Sequence, residues 1–421
     1  MPARNTIIRF GSYAVVAIVT LGLTRPVGAT GQSSARSMAM SGAYTGLAMG
    51  VDAARYNPAN LGLDGYRQRG MELFGFGLNI NNNSLSLNDY NRYTGAILSQ
   101  SDKDNILGKI PSDGLRLVAD MEASALSLSM GSYVISVAAV GIADVNLSKD
   151  ILDLVLNGNH LGQTVSLDGS YSDAIAYIET SVAYGRKIYE SGTRQVSLGL
   201  NLKYLRGLAF ERITDLQGGV ATLTTGFTGS GRMIAQTATG GSGYAADIGA
   251  ALKLNDDYTL GMSFKNLLSS VSWRSGTEEH GYLFDFDSSA ADILQDDYVV
   301  SEDYTRPIGS FSSRLPSTMT LGIANTSGRL LWTADWHQGF RKAAGASSKP
   351  RLAVGLEWRR LSNLPLRAGF GTGGSRGTNF SIGSGIHLGG FHVDFAFQNG
   401  GSLSPGSSRG LNFALTSGFS F

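Results

Sequence analysis

The sequence predicts an all-β fold: a transmembrane antiparallel β-barrel of about 14 strands with an N-terminal plug in its lumen. Three observations carry that expectation. Short segments through most of the chain alternate apolar and polar residues with a period of two. Tight turns and long connections alternate strictly between those segments, as they do in barrels of the outer membrane. Glycine is abundant, 56 in 421 residues, and charged residues make up only 16%, well below the roughly 25% of soluble domains.

Composition also excludes several functions. The chain carries 34 Lys+Arg against 33 Asp+Glu, a net charge of +1, so it has no basic footprint for nucleic acid. It contains no cysteine, which removes disulfides, thiolate zinc sites and thiol catalysis. Beyond the N-terminus there is no apolar run of about 18 residues, the length a membrane helix needs.

Taken in chain order, residues 1–29 read as a signal peptide. Arg4 and Arg9 precede the apolar stretch Tyr13 to Leu23, and Val27-Gly28-Ala29 supplies small residues at the exit. Residues 30–69 lack strand alternation and form the expected hatch. Residues 70–421 form the barrel, with candidate strands at 70–81, 120–130, 132–143, 173–187, 194–207, 243–254, 258–267, 317–325, 329–338, 351–360, 364–372, 378–388, 391–398 and 410–421. The segment 194–207 shows the pattern: Val196, Leu198, Leu200, Leu202 and Tyr204 face away from Ser197, Gly199, Asn201 and Lys203. Residues 270–286 hold apolar stretches that allow one further hairpin.

Alternation alone does not separate a soluble sandwich, oily side inward, from a membrane barrel, oily side outward. The connections do. Gly131, Glu190-Ser191-Gly192, Asn255-Asp256, Ser327-Gly328, Ser362-Asn363 and Gly389-Gly390 mark tight turns, whereas 82–119, 144–172, 208–242 and 268–316 are long external loops. Tyr133, Tyr184, Tyr204, Tyr258, Trp336 and Trp358 fall near strand ends, where interfacial aromatic girdles belong.

The N-terminal segment Ala35-Arg36-Ser37-Met38-Ala39-Met40-Ser41-Gly42-Ala43-Tyr44-Thr45, followed by Asn57-Pro58-Ala59, resembles the hatch of the FadL-like long-chain fatty-acid transporter family. It is equally similar to the PorV-like and PorQ-like barrels of type IX secretion. Leu364 to Phe370 and Phe391 to Phe397 resemble the C-terminal strands of those families. Phe419 and the terminal Phe421 look like the aromatic β-signal read by barrel-assembly machinery. One departure is Ser41, where the run usually has glycine. The resemblance implies a fourteen-strand barrel with hatch residues Arg36, Met38, Met40, Gly42, Tyr44, Asn57, Pro58 and Ala59. It also implies lateral exit through the wall, which is expected at Gly141 in the poorly alternating third strand.

Chemistry is sparse. Gly369-Phe370-Gly371-Thr372-Gly373-Gly374 fits G-x-G-x-x-G, and Gly373-Gly374-Ser375-Arg376-Gly377 fits G-x-S-x-G, but a strand follows where either motif needs a helix. The five histidines, His160, His280, His337, His387 and His392, lack metal-ligand spacing, so no metal, cofactor or catalytic residue is expected. Expected lumen-facing charges are Glu72, Glu122, Glu179, Asp247, Lys253, Lys265, Asp335, Glu357, Arg359, Arg367 and Asp394. Among these, Arg359 and Arg367 are the candidate contacts for a ligand carboxylate, because guanidinium binds it bidentately. Nine carboxylates and no Lys or Arg lie between Glu278 and Asp303, without calcium-loop spacing. Leu147, Ile151, Leu154 and Val155 share one helical face and are expected to cap the barrel mouth.

The function expected is passive uptake of hydrophobic small molecules, such as long-chain fatty acids, across the bacterial outer membrane, without enzyme chemistry. Expected partners are outer-membrane lipid, the assembly machinery and the hydrophobic ligand. The alternative is a type IX secretion-like barrel that holds secreted or surface proteins. A more remote one is an outer-membrane lipase or protease.

Overall fold

The computed structural model describes residues 34–289, 299–340, 347–361, 363–374, 377–402 and 404–421. The expected signal peptide lies outside the described residues, as do Asp292, Asp296 and Asp297 of the acidic stretch and Ser375 and Arg376 of the rejected elbow motif. In chain order the strands are β1 (Arg69–Asn82), β2 (Leu115–Met130), β3 (Tyr133–Leu147), β4 (Thr164–Ser166), β5 (Tyr171–Ser191), β6 (Arg194–Leu223), β7 (Gly226–Ala238), β8 (Gly240–Lys253), β9 (Tyr258–Ser275), β10 (Glu278–Ser289), β11 (Val299–Pro307), β12 (Phe311–Ser313), β13 (Thr318–Asn325), β14 (Leu330–Gly339), β15 (Arg351–Trp358), β16 (Leu366–Gly373), β17 (Asn379–Leu388), β18 (Phe391–Gly400) and β19 (Gly410–Ser420).

Fourteen of these make the wall: β1, β2, β3, β5, β6, β8, β9 and β13 through β19, each antiparallel to the next. β19 pairs back onto β1 from Gly70↔Ser420 to Asn81↔Gly410, which closes the sheet and leaves no edge in the wall. Each of the fourteen candidate ranges falls on one of these strands.

Exposure settles which face is which. Along β6, Leu198, Leu200 and Leu202 are 50%, 41% and 55% exposed while Ser197 and Asn201 between them are buried. Leu352, Val354 and Leu356 on β15 face out, and Ala353 and Glu357 face in. An apolar exterior and a polar interior are what a lipid-spanning barrel needs and what a soluble sandwich forbids. At the tight-turn end, Tyr133 of β3 stacks on Tyr184 of β5 at 4.6 Å, an outward aromatic pair at the edge of the apolar band.

The expected loops 208–242 and 268–316 are largely strand instead. β6 runs on to Leu223, β7 returns beside it, and β10 and β11 form the extra hairpin, with β10 paired to β7. This sheet stands beyond the long-loop mouth and adds nothing to the wall count. Its glycines hid it from a reading by alternation: Gly229 and Gly231 carry no side chains, and the rings of Phe286 and Phe284 cover them from the neighbouring strand. In the loop 82–119, helices α3 (Leu87–Tyr93) and α4 (Gln100–Lys109) each start with a capping box, built on Ser86 with Asp89 and on Ser99 with Asp102. Helix α5 (Lys149–Asn157) buries Ile151 and leaves Val155 half exposed at the mouth.

Inside the lumen lies the segment that follows Ser34, with α1 (Ala35–Ala39), α2 (Gly50–Tyr56) and a 3-10 turn (Pro58–Gly62). Short helices of small residues suit this place, because the plug must approach the wall closely on all sides. Wall glycines provide the seats. A Cβ at Gly199 would lie 2.2 Å from the Ala59 nitrogen, one at Gly355 2.4 Å from the Met40 Cβ, and one at Gly369 2.4 Å from the Met40 carbonyl carbon. These seats line up across the strands, Gly185 opposite Gly199, Gly199 opposite Gly249, Gly261 opposite Gly322 and Gly355 opposite Gly369. Part of the glycine content thus forms a belt of close contacts around the plug.

Candidate functional site: the plugged lumen

The plug is held from its first helix onward. Ser34 caps α1, and Arg36, the only charged residue of that helix, reaches the wall. Its Nε and Nη2 donate to Glu357 Oε2 and Oε1 of β15 at 2.7 and 3.1 Å. The same carboxylate accepts from Arg367 Nε at 2.7 Å and from Arg359. Arg367 also donates to Asp394 at 2.5 Å, and His387 bonds Asp394 at 3.1 Å. Three guanidiniums therefore converge on Glu357, a charge-assisted knot at the tight-turn end of the lumen.

A second anchor was not among the site residues read from sequence. Arg55 on α2 donates to both oxygens of Glu72 on β1, at 2.8 and 2.7 Å, with Glu122 of β2 at 3.4 Å. The signal was available: a lone arginine in a small-residue segment, with two wall carboxylates expected to face inward. Between the anchors, the Tyr44 hydroxyl donates to Asp52 at 2.9 Å, and the Tyr44 ring packs edge-on against Tyr56 at 5.0 Å. The plug itself crosses no bilayer, yet it lies deep in protein. Burial pushes the Asp52 carboxyl above its ordinary value although Arg55 pulls it down, and burial likewise pushes up the Tyr44 phenol.

The turn after α1 explains the departure at Ser41. Its φ is +53°, in the left-handed region where glycine is unstrained, and Gly42 follows at +82°. The serine hydroxyl offsets that strain with a 2.8 Å bond to the Ser381 hydroxyl on β17. Beyond the turn, one oxygen of Asp335 accepts the backbone N–H groups of Tyr44 and Thr45, both at 2.9 Å, while Arg351 Nη2 donates to the Ser41 carbonyl at 2.6 Å. Met38 packs with Ala396 and Ala414, and Met40 with Ala324 and Leu331. Asn57 caps the 3-10 turn by accepting from the Ala59 N–H at 3.1 Å, and Pro58 occupies its first position, where a missing N–H costs nothing.

Toward the external mouth the lumen changes character. Above the plug lies a layer of charge, in which Lys203 pairs with Asp247 at 2.9 Å and Glu179 at 3.4 Å. Lys265 there sits over the Tyr56 ring at 4.8 Å. Above that layer is an apolar cluster of Ile142, Ile175, Tyr177, Leu205, Phe210, Val271, Trp273 and Leu315, with Val140 and Phe311 against it. Trp273 lies flat over Gly207, and its indole N–H donates to Ser313 at 2.9 Å. The sequence reading placed Trp273 in a loop, because the left-handed Asn266 and its ladder shift interrupt the alternation of β9.

With the strand order, the closure and the lumenal plug in view, the molecule compares with solved barrels. The Pseudomonas putida toluene transporter TodX matches 92% of this chain and 98% of its own, with a TM-score of 0.52 at 13% identity. A Pseudomonas aeruginosa FadL homologue matches 94% and 99%, with a TM-score of 0.51 at 12% identity. The chain has the fold of the FadL-like barrels. A family model described as a family of unknown function (DUF5723) matches residues 69–236, less than half of the chain. No curated protein matches it in sequence.

Two site expectations look different in this barrel. Arg367 is not free for a ligand: its side chain is 1% exposed and is held by Glu357 and Asp394, whereas Arg359 is 37% exposed at the tight-turn end. Gly141 is paired on both sides, to Met121 and Ala176, so the wall is continuous there. The ladder between β2 and β3 shifts instead between Ser124 and Leu128, where Leu126 takes a φ of +53°. A second shift lies beside it on β1, between Glu72 and Phe74. Phe419 packs on Phe391 at 5.1 Å, and the Phe421 N–H donates to the Arg69 carbonyl at 2.9 Å.

Proposed function

We propose that this barrel takes up hydrophobic small molecules passively across the bacterial outer membrane, fatty acids or aromatic hydrocarbons among them, with the plug yielding after the ligand binds. The observation that carries this reading is the apolar cluster around Trp273 inside the lumen, walled off from the periplasmic end by the plug. A water-filled porin gains nothing from burying Trp273, Phe210 and Leu205 in its channel, whereas a path for apolar solutes needs such a lining. Of the two solved barrels of the same fold, one is a toluene transporter and the other a FadL homologue, and that cargo class supports the reading.

The exit proposed is lateral, through the wall between β2 and β3 at Leu126. Bulged ladders there lie beside Glu72, the partner of Arg55, so release of α2 would loosen the wall where its pairing is already interrupted. The test is saturable retention of radiolabelled oleate and toluene by the purified protein and by Trp273→Ala. Saturable binding of either ligand that falls about 10-fold in the variant, roughly 1.4 kcal/mol, supports the reading. A wild type that retains neither ligand contradicts it.

A further inference from the structure

A cavity of about 730 Å³ opens at the tight-turn end, beneath the plug and away from the apolar cluster. Its walls carry Arg36 and Arg359 together with the carboxylates Asp52, Glu72, Glu357 and Asp394. Each carboxylate is already engaged. Asp52 accepts from Ser34 and Tyr44, Glu72 from Arg55 and Ser124, Glu357 from three arginines, and Asp394 from Arg367. The donors are not used up. Arg359 spends Nε on Glu357, and its two Nη groups make no hydrogen bond among the described residues. Arg36 Nη1 has only a long 3.4 Å contact to the Tyr44 hydroxyl.

We propose that this periplasm-facing cavity is a binding site for a phosphate group, gripped by Arg359 with Arg36 beside it. Both guanidiniums are oriented by the same carboxylate, so their free edges are fixed before a ligand arrives and lose little freedom on binding it. Glu357 supplies that orientation but too few acceptor positions for three guanidiniums, and the incoming anion provides the rest. The site stands whether or not the barrel carries hydrophobic molecules. Two sources present the same chemistry, free phosphate and the head group of an anionic phospholipid.

Calorimetric titration of the full chain in non-ionic detergent separates them, with inorganic phosphate in one arm and glycerophosphoglycerol, a deacylated phospholipid head, in the other. Binding of phosphate alone assigns the site to the free anion. Binding of both, with glycerophosphoglycerol the tighter, assigns it to the lipid head. In either case Arg359→Gln is expected to weaken binding about 10-fold or more, with Arg359→Lys between it and the wild type. Arg36, Glu357 and Arg367 remain paired in both variants, so an unchanged melting temperature shows that the loss is local. The proposal is overturned if neither anion binds at millimolar concentration, or if Arg359→Gln binds as tightly as the wild type.

Discussion

Replacing Glu357 by glutamine perturbs the anchor of the plug more than that of the wall. The native carboxylate, 3% exposed, faces Arg36, Arg359 and Arg367 at once. The amide keeps the shape and one acceptor oxygen but removes the charge, so Arg36 and Arg359 lose their carboxylate and Arg367 alone keeps one, Asp394. Breaking a buried pair from one side costs about 3–5 kcal/mol. Arg36 and Arg359 are 19% and 37% exposed and regain some hydration, which places the loss near the lower figure, about 3 kcal/mol. Arg367 keeps its bond to Asp394, so most of the loss falls on Arg36 and hence on the docking of α1. A shift of that size raises the undocked population roughly 100-fold. The chain has no cysteine, so a single thiol introduced at the fully buried Ser37 reports undocking through its rate of alkylation. The rate is expected to rise about 100-fold in the Glu357→Gln background, with the barrel's own melting little changed. A rate within about twofold of the parent refutes the claim that this knot holds the plug.

Other substitutions test the seats and the turn. Gly199→Val places side-chain atoms where the Ala59 nitrogen and the Pro58 carbonyl carbon now lie, 2.2 Å from the new Cβ. Such overpacking costs about 1–3 kcal/mol or displaces the plug, and the Ser37 thiol should label faster while the same change at the open Gly309 has no effect. Ser41→Gly trades a hydrogen bond worth about 1 kcal/mol for relief of about 1 kcal/mol of left-handed strain and should be near neutral in thermal unfolding. Ser41→Ala loses the bond and keeps the strain, so it should be the less stable of the two. Lys203→Met strips Asp247 and Glu179 of their cation just above the plug and should lower stability by about 3 kcal/mol, whereas Lys203→Arg should retain most of it.

The wall was legible in the sequence because its physics is local. Lipid outside and protein or water inside impose a period of two on every strand, and Leu198 to Leu202 show it without knowledge of their neighbours. Where a bulge shifts the period at Asn266, the reading lost the strand beyond it and took the lumenal Trp273 for a loop residue. The external sheet was legible only as one further hairpin allowed in residues 270–286; its other strands escaped because their glycines, Gly229 and Gly231, gain their packing from rings on another strand. The plug was visible through the absence of strand alternation over residues 30–69 and through a resemblance. Its contacts were less so: that Arg367 is consumed by Glu357 and Asp394 depends on pairing across β15, β16 and β18, which spacing along one chain does not reveal. Ser41 is the instructive residue. Its departure from glycine was plain in the sequence, and only the left-handed turn and Ser381 beyond it give the reason.

The central claim, that apolar molecules cross a lumen closed by a movable plug, is tested most directly by locking that plug. The Ser41 and Ser381 hydroxyls are 2.8 Å apart, close enough for cysteines at both positions to form a disulfide between plug and wall. In a chain without other cysteines the bond is unambiguous. The measurement is uptake of radiolabelled oleate and toluene into proteoliposomes by the Ser41→Cys, Ser381→Cys protein, oxidised and then reduced. The account predicts that oxidation cuts uptake of the carried ligand about 10-fold or more and that reductant restores it, with saturable ligand retention unchanged throughout. Equal uptake in the locked and reduced forms would contradict it.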